Sequence, residues 1–462
     1  MKVYLETMGC QMNRLDSELV ANALRSAGHE IISDAGSADA VLYNTCSVRL
    51  HAEQKVLSRV GADGSRKANG RPVIGVLGCM TQRMGESLLR KCPQVDLLCA
   101  PGRLAELPEL LATAAAGEQA IALDPTRTQT VDTSAETALD RLDASRDPTA
   151  TPNPRQAFVR VMRGCDRFCT YCVVPYVRGP ERSRRPEDVL EEVRRLADAG
   201  RSEITLLGQR VNSYRCERNG REVRLAELIA KTADVRGVRR LRFITSHPSE
   251  FTDDILQAMR DLPNVCEYLH VPAQSGSDTV LRRMNRGYTR ADYDGLIDRA
   301  RDIVPDIALA GDFIVGFPGE TEQDHAASAE LIRRSGYKNC FVFKYSPRPG
   351  TVADKRFSDD VPPEVKTGRI KELLAVQEQL GLEHHRRYVG RTVEVLVEGV
   401  SPRADRQPTP TEGHVQLTGR TRGDHVVVFD GPETLGGEYV QAEITDADAR
   451  TLFARLGDRQ VL

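Results

Sequence analysis

The chain has 462 residues, eleven cysteines, no tryptophan and a formal net charge of −2. At roughly 100–200 residues per domain, that length predicts about two to four domains, with cores large enough to need no disulfide staples. The near-neutral balance disfavours indiscriminate polyanion binding but leaves room for a local basic face. No apolar run approaches the roughly 18 residues of a membrane span, and MKVYLETMGC carries no convincing signal-peptide pattern; a cytoplasmic protein with no membrane partner is expected.

In chain order, KVYL (2–5) reads as a strand and Asp16 to Ser26 as an amphipathic helix. Ala40 to Tyr43 is a second strand, running into NTCSV, and His51 to Val60 a helix. PVIGVL (72–77) is a third strand, followed by GCM and a further helix. Repeated strand–loop–helix units favour a parallel, Rossmann-like α/β sheet. Cys10, Cys46 and Cys79 each fall just beyond one of these strands, on the edge where such sheets bind ligands. From about Ala114 to Arg155 the chain is rich in Ala, Thr, Asp and Pro, and 118–154 is expected to be a linker between an amino-terminal domain (1–117) and a second domain (155–387). Strands are expected at VRVM (159–162), EITLLG (203–208), LRFIT (241–245), EYLHVP (267–272), IALAGDFIVGFP (307–318) and NCFVFKYS (339–346), with helical patterns between them. This alternation predicts a partial (β/α)6 barrel of the TIM type. Val365 to His385 reads as a charged helix. Four short alternating segments with Gly-rich turns then predict a small antiparallel β-barrel over 388–455.

The segment RGCDRFCTYC places Cys165, Cys169 and Cys172 in a C-x3-C-x2-C loop. Three soft thiolates suit one face of an iron–sulfur cubane. A zinc site would ordinarily want a fourth ligand, and no nearby Cys or His supplies one. With the strand before it and the barrel-like run after it, the loop resembles the radical S-adenosylmethionine superfamily. That resemblance implies a [4Fe–4S] cluster whose uncapped iron binds the amino and carboxylate groups of S-adenosylmethionine and cleaves it to a 5'-deoxyadenosyl radical. Tyr171 holds the position where members often place an aromatic beside the adenine.

Spacing alone leaves Cys10, Cys46 and Cys79 open between a ligand set and incidental buried thiols. GCQMN (9–13), NTCSVR (44–49), GCM (78–80), RGCDRFCTYCVVPYVRGPERSR (163–184), LLGQRVNSY (206–214), TSHP (245–248), HVPAQSGSD (270–278), DFIVGFPGET (312–321) and YSPRPGT (345–351) together resemble the radical S-adenosylmethionine methylthiotransferase family over nearly the whole chain. GCQMN, FTDD (251–254) and LTGRT (417–421) look closest to the branch that acts on isopentenylated adenosine 37 of tRNA. The resemblance implies a second [4Fe–4S] cluster on Cys10, Cys46 and Cys79. It also implies two S-adenosylmethionine molecules per turnover and transfer of a methylthio group to C2 of N6-isopentenyladenosine. The rival targets are threonylcarbamoyladenosine in tRNA and a ribosomal-protein aspartate. A non-catalytic iron–sulfur or zinc RNA-binding protein is the rival of another class. Implied partners are a tRNA anticodon stem-loop, a reductase, flavodoxin or ferredoxin as electron donor, and a sulfur-supplying iron–sulfur carrier.

Gly208, Gln209, Asn212, Ser246, His247 and Gln274 end predicted barrel strands, where such folds carry function. With Tyr171, the turn residue Ser275, and Phe313 of the adenine-bordering FIVGFPG strand, the residues Gly208, Gln209, Ser246 and Gln274 form the expected cofactor set. Glu320 is read instead as a loop-fixing residue. The carboxyl-terminal barrel resembles the TRAM RNA-binding module. Arg178, Arg182, Arg391, Arg420 and Arg422, together with Arg210, which departs from the Asn common at its position in the family, are the expected RNA contacts. No proton acceptor is legible, and Cys92, Cys99, Cys216, Cys266 and Cys340 are left unassigned.

Overall fold

The computed structural model describes residues 1–47, 50–67, 71–125, 133–150, 153–218, 220–404 and 413–457. Val48 and Arg49 of NTCSVR, and 126–132 and 151–152 of the expected linker, lie outside the described residues. The chain divides into two compact units. The first comprises Met1–Pro152, Phe158–Ala199 and Leu206–Gln209; the second comprises Asn153–Ala157, Gly200–Thr205 and Arg210–Leu462.

In the first unit, β1 (Lys2–Met8), β2 (Glu30–Ile32), β3 (Ala40–Thr45), β4 (Val73–Gly78), β5 (Leu97–Cys99) and β6 (Ala120–Ala122) form one sheet in the order β2-β1-β3-β4-β5-β6. All its pairings are parallel. The central strands AVLYNT and VIGVLG are buried at every residue, as strands covered on both faces must be, whereas EII at the edge is not. Val56 and Val60 of α2 (Leu50–Arg66) pack with Val41, Tyr43, Ile74, Val76 and Leu98. Strand order reverses between β1 and β3, so the loops carrying Cys10 and Cys46 flank the switch point, where open sheets of this kind leave a crevice.

The expected linker is corrected in two places. Ala120–Ala122 is the sixth strand of the sheet, and Thr133–Ala144 is a helix. Both were hidden because their apolar runs are too short to set a period. The helix buries Leu139 and Leu142 and is also anchored by charge, as described below.

Strands Gln156–Arg160, Glu203–Leu207 and Arg240–Ile244 form one three-stranded sheet, and Tyr268–His270, Ala308–Val315 and Asn339–Lys344 another. A parallel bridge joins Leu241 to Val265, just before the second set begins. With the intervening helices this is the alternation of a partial (β/α)6 barrel. A hairpin of Arg215–Arg218 and Arg221–Arg224, not expected from the sequence, is inserted after the second strand. The long helix Pro363–Arg386 follows.

The tail closes into a five-stranded barrel of Thr392–Val400, Val415–Arg420, Val426–Gly431, Thr451–Leu456 and Tyr439–Ala447. Its pairings are antiparallel except that Val426–Gly431 runs parallel to Thr451–Leu456. An odd number of strands cannot alternate direction all the way round, so closure requires one parallel pair. Among the described residues no helix is long and apolar enough to cross a membrane.

Where the long helix meets this barrel, His384 Nε2 lies 2.9 Å from His425 Nε2, His425 Nδ1 is 3.0 Å from Thr421 Oγ1, and His385 Nδ1 bonds the Asp448 carbonyl at 2.8 Å. Burial, then the neighbouring positive groups, pushes His384 down to about 4 and lowers His425 as well. The folded chain thus resists a proton that the unfolded chain takes up at about pH 6.5. Stability is full above that pH and falls as pH drops from about 6.5 towards about 4. Thermal unfolding at pH 7 and pH 5 should show wild type losing about 1–2 kcal/mol more than His384→Gln over that interval; equal losses would contradict the assignment.

Candidate active site

The amino-terminal cysteines are brought together by the residues around them. Cys10 caps α1 (Gln11–Ser26) with extended backbone. The Cys46 amide donates to the Met8 carbonyl at 3.1 Å, tying the loop after β3 to the end of β1. Beneath the thiols, Asn13 and Asn44 lock the two loops: Asn13 Nδ2 donates to Asn44 Oδ1 at 2.9 Å, and Asn44 Nδ2 donates to the Asn13 carbonyl and to Ser17 Oγ, both at 3.0 Å. Gly78 has φ +92°, and a Cβ there would stand 2.5 Å from Asn44 Oδ1 and 2.6 Å from the Thr45 carbonyl. Only glycine lets Cys79, the first residue of α3 (Cys79–Met84), come against the end of β3. GCQMN, NTC and GC are thus parts of one construction.

The Cys46 thiol shares hydrogen bonds with both Cys10 and Cys79. It is raised by them, while Cys10 and Cys79 are lowered, first by the bond from Cys46 and also by the positive charge of Arg178. Arg178 Nε lies 3.3 Å from Cys79 Sγ.

The second trio sits in the same unit. Gly164 has φ +68°, and a Cβ there would fall 1.9 Å from the Pro180 carbonyl oxygen. The Cys165 amide bonds the Gly179 carbonyl at 3.2 Å, and Met162–Arg163 pairs with Arg182–Ser183, so both ends of the loop are pinned. The Cys172 amide bonds the Cys169 carbonyl at 3.0 Å, and the Arg167 amide points at Cys165 Sγ at 3.4 Å. Val173 and Val177, directly after the loop, pack on Cys79. No disulfide joins any of the eleven cysteines. Among the described residues no group of three or more His, Cys, Asp or Glu is spaced as a metal shell. The donor chemistry nonetheless fits an iron–sulfur cluster at each trio: three soft thiols, and an amide N–H or a guanidinium aimed at a sulfur.

The expected cofactor residues divide. Gly208 is buried and Tyr171 half-buried. Gln209 Oε1 and Ser246 Oγ are buried polar atoms with no hydrogen-bond partner among the described residues, the state expected of groups awaiting a polar ligand. Asn212 Nδ2 donates to the His247 carbonyl at 2.9 Å and Asn212 Oδ1 accepts from the His247 amide at 2.7 Å, which fixes the strand ends on which Ser246 stands. Thr245 and Gln274 hold left-handed backbone, at φ +73° and +71°, a cost tolerated mainly at working sites.

The side chains of Ser275 and Phe313 face the protein interior. Ser275 Oγ lies 3.4 Å from Ser328 Oγ on the helix Glu322–Ser335, and Phe313 is fully buried, edge-on to Tyr337 at 6.0 Å. Side chains alternate along a strand, so the half-buried Asp312 and Ile314 share the opposite face, with His270 Nε2 3.3 Å from Asp312. Glu320 accepts from the Gly316 amide and from Arg369, and does fix its loop.

Of the expected RNA contacts, Arg178 lies between Asp16 and Cys79 with its side chain 8% exposed, and Arg210 is buried and paired with Glu250 at 3.1 Å. Arg420 is engaged by Glu398 and Asp424, and Arg422 by Glu267. Arg182 and Arg391 are exposed.

Sequence reasoning missed a buried ion-pair chain. Asp16 pairs with Arg160 at 2.8 Å and Arg160 with Asp143 at 2.6 Å; Arg184 pairs with Glu192 at 2.7 Å, and Arg146 with Glu18. Its one sequence signal is the acidic Asp16 on the apolar side of an amphipathic helix. It also missed an aromatic pair, Phe168 and Tyr176, which are 38% and 43% exposed with ring centroids 6.1 Å apart, beside the C-x3-C-x2-C loop.

Three family models match the chain: the Radical SAM superfamily over residues 159–332, the Uncharacterized protein family UPF0004 over 2–100, and the TRAM domain over 386–456. A tRNA-2-methylthio-N(6)-dimethylallyladenosine synthase from Rhodopirellula baltica is 45% identical over 100% of this chain and 96% of its own length. The chain belongs to this synthase family. Members bearing the same name from Phocaeicola vulgatus and a Thermoanaerobacter species are 44% and 40% identical, each over 98% of this chain and over 95% and 92% of their own. Among solved structures, the radical S-adenosylmethionine methyltransferase TsrM from Kitasatospora setae shares the fold at 15% identity, with a TM-score of 0.55 over 76% of this chain and 74% of its own. Family membership implies use of S-adenosylmethionine and [4Fe–4S] chemistry and binding of tRNA.

Proposed function

We propose that the chain transfers a methylthio group to C2 of N6-isopentenyladenosine at position 37 of tRNA, using two S-adenosylmethionine molecules and two [4Fe–4S] clusters. The observation that carries this reading is the presence, in one unit, of two cysteine trios whose local backbone is built around them, in a chain akin to the synthases over its whole length. Cys165, Cys169 and Cys172 hold one cluster and Cys10, Cys46 and Cys79 the other. When bound, the first supplies the electron that cleaves S-adenosylmethionine and so opens an inert C–H bond, and the second carries the sulfur to be delivered. The protein's part is to place and shield.

Gln209 Oε1 offers a hydrogen bond to the polar groups of S-adenosylmethionine, and Tyr171 offers a ring to its adenine. The carboxyl-terminal barrel and the exposed Arg182 and Arg391 meet RNA phosphate. Electrons come from a reductase, flavodoxin or ferredoxin, and an iron–sulfur carrier restores the sulfur.

Unstacked bases are gripped on aromatic faces. The exposed Phe168–Tyr176 pair beside the cluster loop is suited to hold a base next to the target adenosine. The double variant Phe168→Ala/Tyr176→Ala should lower kcat/KM for the stem-loop about tenfold, in line with the roughly 1–3 kcal/mol of a stacked base, with iron content unchanged. Unaltered kcat/KM would remove the pair from the RNA site. The substrate assignment itself is tested with anaerobically reconstituted protein and two synthetic anticodon stem-loops, one bearing isopentenyladenosine and one threonylcarbamoyladenosine. Methylthiolation of the first alone is expected; methylthiolation of the second alone would transfer the enzyme to the other branch.

A further inference from the structure

Arg178 follows the short helix Val174–Val177, which packs on Cys79. Its side chain is 8% exposed. Nε donates towards Cys79 Sγ at 3.3 Å while Nη2 is held by Asp16 Oδ2 at 2.8 Å. The other oxygen of Asp16 accepts from Arg160 Nη1, also at 2.8 Å, and Arg160 is fixed in turn by Asp143 through Nη2 at 2.6 Å and Nε at 3.2 Å. Asp143 receives Arg163 as well, at 3.1 Å, and Arg184 stands 3.7 Å away.

Two features follow from this arrangement. First, the guanidinium is clamped by a chain of buried partners, so its N–H is pre-aimed at a sulfur rather than free to choose water. Second, Asp16 covers Arg178 on one side only, its other oxygen being taken by Arg160, and the group at the uncovered side of the guanidinium is the Cys79 thiol, 3.3 Å from Nε. A purely structural ion pair needs no sulfur partner, and an RNA contact would need exposure.

We infer that Arg178, held by the Asp16–Arg160–Asp143 relay, is the positioning residue that sets the charge balance of the sulfur-carrying cluster on Cys10, Cys46 and Cys79. This rests on the cluster assignment proposed above. Hydrogen bonds to cluster sulfurs and nearby positive charge raise the reduction potential, because they favour the form with one more electron. Arg178 therefore makes that cluster easier to reduce, and Asp16 moderates the effect.

The test uses the full chain carrying Cys165→Ala, Cys169→Ala and Cys172→Ala, reconstituted anaerobically so that only the amino-terminal cluster is present. Iron and sulfide are counted, and the midpoint potential is read by EPR-monitored titration. Arg178→Gln should make one-electron reduction about tenfold less favourable, a downward shift of 59 mV. Arg178→Lys, which keeps the charge but loses the fork, should shift it less. Asp16→Asn, which uncovers the charge of Arg178, should shift it upward. A merely structural role would not move the two sites in opposite directions. If Arg178→Gln fails to hold iron, the Lys and Asn variants supply the comparison. Potentials unchanged in all three, or shifted the same way by Arg178→Gln and Asp16→Asn, overturn the role of Arg178 alone. No iron in the triple-cysteine variant overturns the cluster assignment itself, and this role with it.

Discussion

Cys46→Ala should leave about four of the eight irons expected for two cubane clusters and abolish methylthiolation, while S-adenosylmethionine is still cleaved to 5'-deoxyadenosine. Cys46 is the middle thiol of its trio, sharing hydrogen bonds with Cys10 on one side and Cys79 on the other. Two remaining thiols cannot encircle a cubane face, and the second trio stands on its own backbone: the Gly164 turn, the Cys165–Gly179 bond and the Met162–Arg163 ladder. Cys165→Ala should give the complementary result, with about four irons kept and cleavage lost along with methylthiolation. Anaerobic reconstitution, iron analysis and chromatography of the nucleoside products check both. Eight irons in Cys46→Ala would mean that the amino-terminal trio holds no cluster.

The largest stability effect is expected at Arg160. Its side chain is 2% exposed and stands between Asp16 and Asp143, each 1% exposed. Burial pushes the Asp143 carboxyl up, but the surrounding Arg160, Arg184 and Arg163 outweigh it and hold it well below the usual carboxylate range. Removing the central cation takes a hydrogen-bonded partner from two buried carboxylates and leaves them to Arg178, Arg163 and Arg184, so Arg160→Met should cost about 3–5 kcal/mol. Asp143→Asn in the same background should recover part of that loss, since paired partners are not additive. Urea unfolding of wild type, of Arg160→Met and Asp143→Asn singly, and of the double variant measures the cycle. A loss below about 1 kcal/mol would show that Arg178, Arg163 and Arg184 suffice for Asp16 and Asp143.

The architecture was legible because its signals are periodic. Fully apolar runs such as VIGVL announce central parallel strands, and short alternating segments with glycine turns announce the small barrel. The cysteine trio of the C-x3-C-x2-C loop was legible from its spacing. Cys10, Cys46 and Cys79 were not: the interactions that unite them are the crossed amides of Asn13 and Asn44 and a glycine at positive φ, which become meaningful only once the strand order is known.

Phe313 turns its ring towards Tyr337 and away from the half-buried face of its strand, because a one-residue change of parity moves a side chain from one side to the other. Arg178 shows the limit for charge. In sequence it belongs to a basic run around the cluster loop, but a carboxylate from the first helix, far away in the chain, draws it inward to a sulfur. The helix Thr133–Ala144 escaped for a related reason: among the described residues its buried apolar side is only Leu139 and Leu142, and the rest of its anchor is Asp143 held by Arg160 and Arg163.

The chemical change made to tRNA is tested most directly by mass analysis of tRNA nucleosides from the source organism with and without the gene for this chain. Deletion should remove 2-methylthio-N6-isopentenyladenosine and leave N6-isopentenyladenosine in its place, with restoration by the intact gene but not by Cys46→Ala. Normal levels of the methylthiolated nucleoside in the deletion strain would contradict it.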